Sequence, residues 1–267
     1  MIVIKLSGGL GNQLFQYSIG RKISLNIKTD LFVNIDNLKN FRTPREYCLD
    51  KLNVCCKINP NTSGLKIINE KFFHYDNNLN ISDNILLKGY WQSEKYFKEI
   101  KHILLNEITP KINLSNLFIK YKSKIESCES VSLHVRRGDY LTRGNLKFHG
   151  VCSLDYYNKA IQHIKERINN PVFFIFSDDI NWVKSNLMIN FEKYFISNYN
   201  IFDTQFDEFF LMSKCKHNII ANSTFSWWPA WINQNSNKII IAPLNWFSES
   251  NKNVNSNDLI PDNWVKL

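Results

Sequence analysis

The chain has 267 residues, enough for one large domain or two of ordinary size, and its 44% hydrophobic and 21% charged residues are the balance of a folded globular protein, not a disordered one. No apolar run approaches the roughly 18 residues of a membrane span, so a spanning protein is excluded. A formal net charge of +9 asks for an anionic partner such as a nucleotide, a nucleic acid or an acidic membrane surface, without choosing among them.

Met1–Leu6 reads as a strand with no basic or apolar leader before it. It runs into Ser7-Gly8-Gly9-Leu10-Gly11-Asn12-Gln13 and then a helix on which Leu14, Phe15, Ile19, Ile23 and Ile27 recur at helical spacing. A strand, a glycine-rich turn and a helix start make a loop whose backbone can approach a ligand closely, so Gly9, Gly11, Asn12 and Gln13 are candidate binding residues. A P-loop is rejected, because Gly11-Asn12-Gln13 stands where Gly-Lys-Ser/Thr is needed. The dinucleotide fingerprint lacks its third glycine, where Leu14 stands. Asp36, after the strand Leu31–Ile35, nonetheless keeps a Rossmann NAD(P) oxidoreductase as an alternative. A plain helix cap is the competing role for Asn12.

Residues 37–84 are polar and rich in Asn and Lys, yet hold Tyr47, Phe72, Phe73 and Tyr75, so irregular packed structure is expected there. Ile85–Gln92 reads as a strand, and Ser93 as the cap of a helical stretch to about Asn106. Tyr90, Trp91 and Gln92 are candidates for an acceptor side, since flat apolar rings suit sugar faces; core packing is the alternative for either ring. An amphipathic stretch near 114–127 follows.

Val131-Ser132-Leu133-His134-Val135 then reads as a short buried strand that breaks into Arg136-Arg137-Gly138-Asp139-Tyr140. From there strands and helices alternate: a helix at 153–169, a strand at 172–176 ending in Ser177-Asp178-Asp179, a helix near 180–188 and a strand at 194–196. A helix at 204–214, a strand at 217–220, a helix opened by Asn222-Ser223-Thr224-Phe225 and a strand at 238–243 complete the pattern. Such alternation predicts a doubly wound parallel sheet.

In a parallel sheet the strand ends carrying Arg136 and Arg137, Asp178 and Asp179, and Ser223 and Thr224 share one edge. Two guanidiniums offer fixed donors to a diphosphate, and a helix N-terminus at Ser223 adds amides and dipole. A carboxylate at that edge can accept from a ribose or a guanine. The competing reading is a solvated Arg-Arg-Gly-Asp turn with an internal ion pair. No D-x-D occurs, and no His/Cys/Asp cluster suggests a metal, so protein donors alone would neutralise a leaving diphosphate. The six cysteines (Cys48, Cys55, Cys56, Cys128, Cys152, Cys215) lack C-x-x-C or metal-ligand spacing and read as thiols of a reducing compartment.

Taken together, Gly8–Tyr17, Gly89-Tyr90-Trp91-Gln92-Ser93, His134–Asp139 and Asn222–Trp228 resemble the motifs of the α-1,2-fucosyltransferases, in the order and spacing of that family. The resemblance implies an α/β fold of GT-B type, two Rossmann-like domains facing a cleft, here divided as 1–127 on the acceptor side and 128–267 on the donor side. It implies inverting, metal-independent transfer of fucose from GDP-fucose to O2 of a terminal galactose, with no cofactor. Carried over residue by residue, Arg136 holds the β-phosphate, and His134 and Arg137 lie in the donor site. Asp178 faces guanine or ribose, and Ser223, Thr224 and Phe225 cradle the diphosphate and base. Gly9, Gly11, Asn12 and Gln13 meet the donor from the first domain. Asp139 is the nearest carboxylate for catalysis, although an ion pair with the arginines competes for it, and no glutamate follows in Tyr140–Gly144. The expected acceptor is a galactose-terminated oligosaccharide or lipid-linked glycan. The expected location is the cytoplasm, with peripheral contact at the inner membrane face left open. A basic nucleic-acid-binding module is the rival from another class; scattered lysines and no long basic run count against it.

Overall fold

The computed structural model describes residues 1–36, 38–39, 45–71, 73–79, 81–196, 204–251 and 253–267. Phe72, one of the aromatics expected to pack in the polar region, lies outside them. Contacts divide the chain into two compact units, Met1–Asn113 with Asn255–Pro261, and Leu114–Val254 with Asp262–Leu267.

The first unit contains β1 (Ile2–Lys5), α1 (Leu10–Ile27), β2 (Leu31–Asn34), β3 (Lys57–Ile58), β4 (Lys66–Asn69), β5 (Ile85–Lys88) and α2 (Lys101–Glu107). Its five strands are all parallel, in the order β3-β2-β1-β5-β4. The central pair are continuous apolar runs, Ile2-Val3-Ile4 and Ile85-Leu86-Leu87, as burial on both faces requires. Gly20 lets α1 lie close on the sheet: a Cβ there would stand 2.6 Å from Ile4 and 2.8 Å from Leu31. The helix is tied to α2 by Glu107, which accepts from the Tyr17 hydroxyl at 2.5 Å and from Arg21 at 2.6 and 2.9 Å.

The expectation of irregular structure through 37–84 is corrected by β3 and β4. Both are edge strands whose Ile58 and Ile67 are about half exposed, so neither needed the apolar run that reveals a central strand. The helix expected after Ser93 begins as two short 3₁₀ turns before α2, with Ser93 Oγ accepting from Lys95 N as a cap.

The second unit contains α3 (Asn116–Glu126), β6 (Ser130–Val135), α4 (Arg143–Phe148), α5 (Leu154–Lys165), β7 (Val172–Ser177), α6 (Ile180–Asn186), β8 (Lys193–Phe195), α7 (Thr204–Lys214), β9 (His217–Ile219), α8 (Thr224–Ile232), β10 (Ile240–Ala242) and β11 (Val265–Lys266). Its strands are parallel in the order β11-β10-β9-β6-β7-β8. Counted along this unit, that is the doubly wound order 3-2-1-4-5-6, with its switch point between β6 and β9.

The period of a strand sorts its two faces. Val131, Leu133 and Val135 of β6 and Phe173 and Ile175 of β7 pack with α5 and α6 through Tyr157, Ala160, Ile164 and Val183. Val172, Phe174 and Phe176 meet α3 and α7 through Ile125, Leu211 and Met212. Because Leu117, Phe118, Tyr121 and Ile125 belong to that core, residues 114–127 lie with the second unit and not with the first, where the sequence division had put them. The α/β architecture of two parallel sheets, the C-terminal one doubly wound, is the GT-B type expected. None of the described helices is long and apolar enough to cross a membrane.

Candidate active site

The switch point of the first sheet lies between β1 and β5, so the turns that follow them are neighbours. After β1 the chain turns through Gly8, whose φ is +77°; a Cβ there would fall 2.3 Å from Asn12 Nδ2. Gly9 caps α1, which starts at Leu10, so Asn12 is inside the first turn and is not the cap. Its Oδ1 accepts from Gln92 Nε2 at 2.9 Å.

Gln13 is fully buried. Its Nε2 donates to Gly8 O and Glu46 O, and its Oε1 accepts from Cys48 N at 2.9 Å. That side chain staples the glycine turn to the 46–48 segment, and its amide is spent on those bonds. Gln16, which sequence reasoning passed over, is a second staple: it donates to Ser7 Oγ and Gly89 O and accepts from Ser7 N. The repeat of Gln at i and i+3 behind the glycines was the available signal, since both positions share one helix face.

On the β5 side, Trp91 is 1% exposed and packs edge-on against Tyr96 at 5.6 Å. It offers no face to a sugar, so its acceptor-side assignment is corrected to core packing. Tyr90 is half-buried, and Gln92 is 7% exposed with its amide on Asn12.

In the second unit β6 ends at the pair of arginines. Arg136 donates through Nη2 to Asp139 Oδ1 at 2.6 Å and pairs through Nη1 with Asp178 Oδ2 at 3.1 Å. Its Cζ lies 5.5 Å from the centre of the Tyr140 ring. The Nε–H of Arg136 is buried without a hydrogen-bond partner, the kind of orphan donor that asks for a ligand. Arg137 is tied elsewhere: Nε donates to Asp179 Oδ2 at 3.2 Å, and the guanidinium stacks 3.8 Å above Trp182. Asp179 is also the N-cap of α6, accepting from Trp182 N.

Asp178 accepts from the Arg137 backbone N–H at 2.8 Å as well as from Arg136. Gly138 makes room for it; a Cβ there would sit 2.6 Å from Asp178 Oδ2. Both carboxyl oxygens are therefore engaged with the arginine turn, and the geometry gives Asp178 a positioning role ahead of the guanine or ribose contact expected of it. Two guanidiniums here face three carboxylates, so the cations of this edge are compensated before any anion arrives.

His134 is 4% exposed, with its ring 5.9 Å from that of Phe225. Burial, with Arg136 close by, pushes it down from 6.5 to about 3, and it is neutral in the fold. Ser223 caps α8 through its Oγ to Phe225 N, and Thr224 opens that helix beside the end of β6. Asn222 donates to the carbonyls of His149 and Trp246, and its own carbonyl accepts from the Tyr140 hydroxyl at 3.1 Å. Beyond Tyr140, whose ring stacks 4.7 Å from that of His149, a cavity of about 350 Å³ is lined by His149, Tyr156, Asn222 and Phe247.

The model of "Glycosyl transferase family 11" matches residues 1–267. The chain belongs to this family. It is 38% identical, over its whole length and 99% of the relative, to an alpha-1,2-colitosyltransferase of Escherichia coli. It is 34% identical to the O-antigen biosynthesis glycosyltransferase WbnK of the same organism, with 98% and 99% of the two chains covered. Among solved structures, fucosyltransferase NodZ from Bradyrhizobium superposes with a TM-score of 0.56 at 11% identity, covering 85% of this chain and 92% of that one. Membership of family 11 makes the chain a glycosyltransferase and removes the oxidoreductase and nucleic-acid-binding alternatives.

Proposed function

We propose that this chain is an inverting, metal-independent transferase that moves L-fucose from GDP-β-L-fucose to O2 of a terminal galactose, giving an α-1,2 linkage in a surface glycan of the O-antigen kind. One observation carries the reading: a half-buried arginine at the switch point of a doubly wound sheet, anchored by Asp139 and Asp178, with its Nε–H unused. As the bond from the anomeric carbon to the diphosphate breaks, negative charge grows on the departing nucleotide. A guanidinium already fixed in place meets that charge without reorganising. The N-terminus of α8, with Ser223 and Thr224, adds dipole and hydroxyls for the phosphates, and Phe225 an apolar wall.

A single in-line displacement turns the β linkage of the donor into an α linkage in the product. In this reading Asp139 anchors Arg136, and the acceptor hydroxyl loses its proton late, with little help from a base. Protein cations and amides meet the anionic charge of the donor, and no metal enters the reaction. The acceptor is a galactose-terminated oligosaccharide or lipid-linked glycan, met in the cytoplasm.

A second donor is favoured by the full-length similarity to a colitosyltransferase, because colitose lacks only one ring hydroxyl of fucose. The purified protein is therefore offered GDP-fucose and GDP-colitose with a panel of β-galactosides, with and without EDTA, and the product linkage is determined. An α-1,2-fucosylated product formed equally well in EDTA is expected. A product with GDP-colitose alone moves the assignment to the second donor, and no product with either overturns both. Loss in EDTA with recovery on adding Mn²⁺ overturns metal independence.

A further inference from the structure

Tyr140 stands on the turn that carries Arg136 and reaches the backbone that leads into α8. We propose that Tyr140 is a positioning residue: its hydroxyl bond to the Asn222 carbonyl and its ring beside Arg136 hold the guanidinium in register with the start of α8, so that both meet one diphosphate. The inference rests on the proposed function for the identity of that anion.

The sheet creates the need for such a tie. The ladder between β6 and β9 ends at Leu133 and Ile219, before either Arg136 or Ser223 is reached. Past that point the ladder no longer sets the spacing of the two strand ends, and side chains have to. On the β7 side Asp178 does so, accepting from the Arg137 N–H at 2.8 Å and pairing with Arg136 at 3.1 Å. On the β9 side the Tyr140 hydroxyl donates to Asn222 O at 3.1 Å, and Asn222 directly precedes Ser223, the cap of α8.

The turn is built to transmit that hold. Leu141 N donates to Arg137 O at 3.0 Å and Asn145 Nδ2 to Asp139 O at 2.8 Å, so the residues from Arg136 to Leu141 form one closed body. Arg136 Cζ lies over the Tyr140 ring at 5.5 Å, within the range of a cation–π contact. The His149 ring stacks on that of Tyr140 at 4.7 Å and 13°, and the Asn222 side chain donates to the His149 carbonyl at 2.9 Å. Tyr140, His149 and Asn222 thus close a circuit: the residue that accepts the hydroxyl bond also holds the stacking partner of the ring. Burial pushes the Tyr140 phenol up to about 12, so the hydroxyl keeps its proton and remains a donor.

The test measures kcat and donor KM, with Tm as a control, for wild type, Tyr140→Phe, Arg136→Ala and the double variant. The donor is whichever of GDP-fucose and GDP-colitose the wild type turns over. Tyr140→Phe keeps the ring and its stack and loses the hydroxyl bond alone. Its kcat is expected to fall about tenfold, as a small misplacement of a catalytic group does, with donor KM little changed. Its Tm should drop by no more than about 4 °C, the effect of one lost hydrogen bond. In the Arg136→Ala background Tyr140→Phe should cost less than about twofold more, because no guanidinium is left to place. His149→Leu removes the stack and keeps the hydroxyl bond; it is expected to lower kcat about threefold in the wild-type background and not at all in Arg136→Ala. Equal losses in both backgrounds, which a merely structural tyrosine would give, overturn the inference alone, and so does a Tyr140→Phe kcat equal to wild type. A wild type that transfers neither sugar overturns the proposed function, and the inference falls with it.

Discussion

At the switch point of the first sheet three uncharged amides do most of the holding, Gln92 on Asn12, Gln13 on Gly8 and Glu46, and Gln16 on Ser7 and Gly89, with the Glu70 carboxylate under the turn after β5. At the switch point of the second, two guanidiniums meet three carboxylates, and one arginine is stacked on a tryptophan besides. Both arrangements fix geometry, but they store different things. Amides fix the direction of a hydrogen bond and leave no net field. Ion pairs hold a charge in place, ready for the moment at which charge develops. Damage to the first region should therefore show as lost stability of its turns, and damage to the second as a lower kcat.

The largest effect expected from that contrast is at Arg136. Arg136→Ala should lower kcat about 10²–10³-fold, the cost of losing one preorganised electrostatic donor, while far-UV circular dichroism and Tm stay near wild type. A loss below tenfold in a folded variant would place the rate-determining charge elsewhere. In the first region the counterpart is Glu70→Ala, which leaves the Tyr90 and Trp91 N–H groups without their carboxylate. It is expected to cost about 2–4 kcal/mol in urea unfolding. A variant as stable as wild type would mean that the turn does not depend on Glu70.

Gly138→Ala sharpens the comparison without removing any charge. Its new Cβ displaces Asp178 from the arginine turn, and kcat is expected to drop about tenfold, as misplacement of a catalytic group does. An unchanged kcat would deny Asp178 its positioning role.

A further effect is on pH dependence. His134 takes up its proton only near pH 3 when folded, against 6.5 when exposed. Below 6.5 the unfolded chain binds a proton that the folded chain does not, so stability is complete above 6.5 and declines toward pH 3. His134→Gln should flatten that part of a curve of Tm against pH; an unaltered slope would show that other groups carry it.

The sequence was most legible where burial is two-sided. The runs at Ile2–Ile4, Leu31–Val33, Ile85–Leu87, Val131–Val135 and Val172–Phe176 left no alternative to central strands, and the alternation after residue 128 sufficed for a doubly wound sheet. Edge strands were hidden because Lys57-Ile58 and Lys66–Asn69 are mostly exposed and obey no burial pattern. At the site the residue types were legible, since arginines at one strand end and a Ser-Thr helix start at another suit a diphosphate. Their partners were not. Nothing in the sequence says that Asp178 reaches back to the arginine turn, that Trp182 lies under Arg137, or that Glu70 supports a turn twenty residues away. Nor does the sequence say that the Gln13 amide is spent on the glycine turn or that the Trp91 ring packs in the core.

The account centres on the Arg136 guanidinium. Crystals grown with GDP should show a phosphate oxygen within about 3.2 Å of one of its nitrogens, with Ser223 and Thr224 on the same phosphates. GDP bound to this protein with no phosphate oxygen near Arg136 would contradict it.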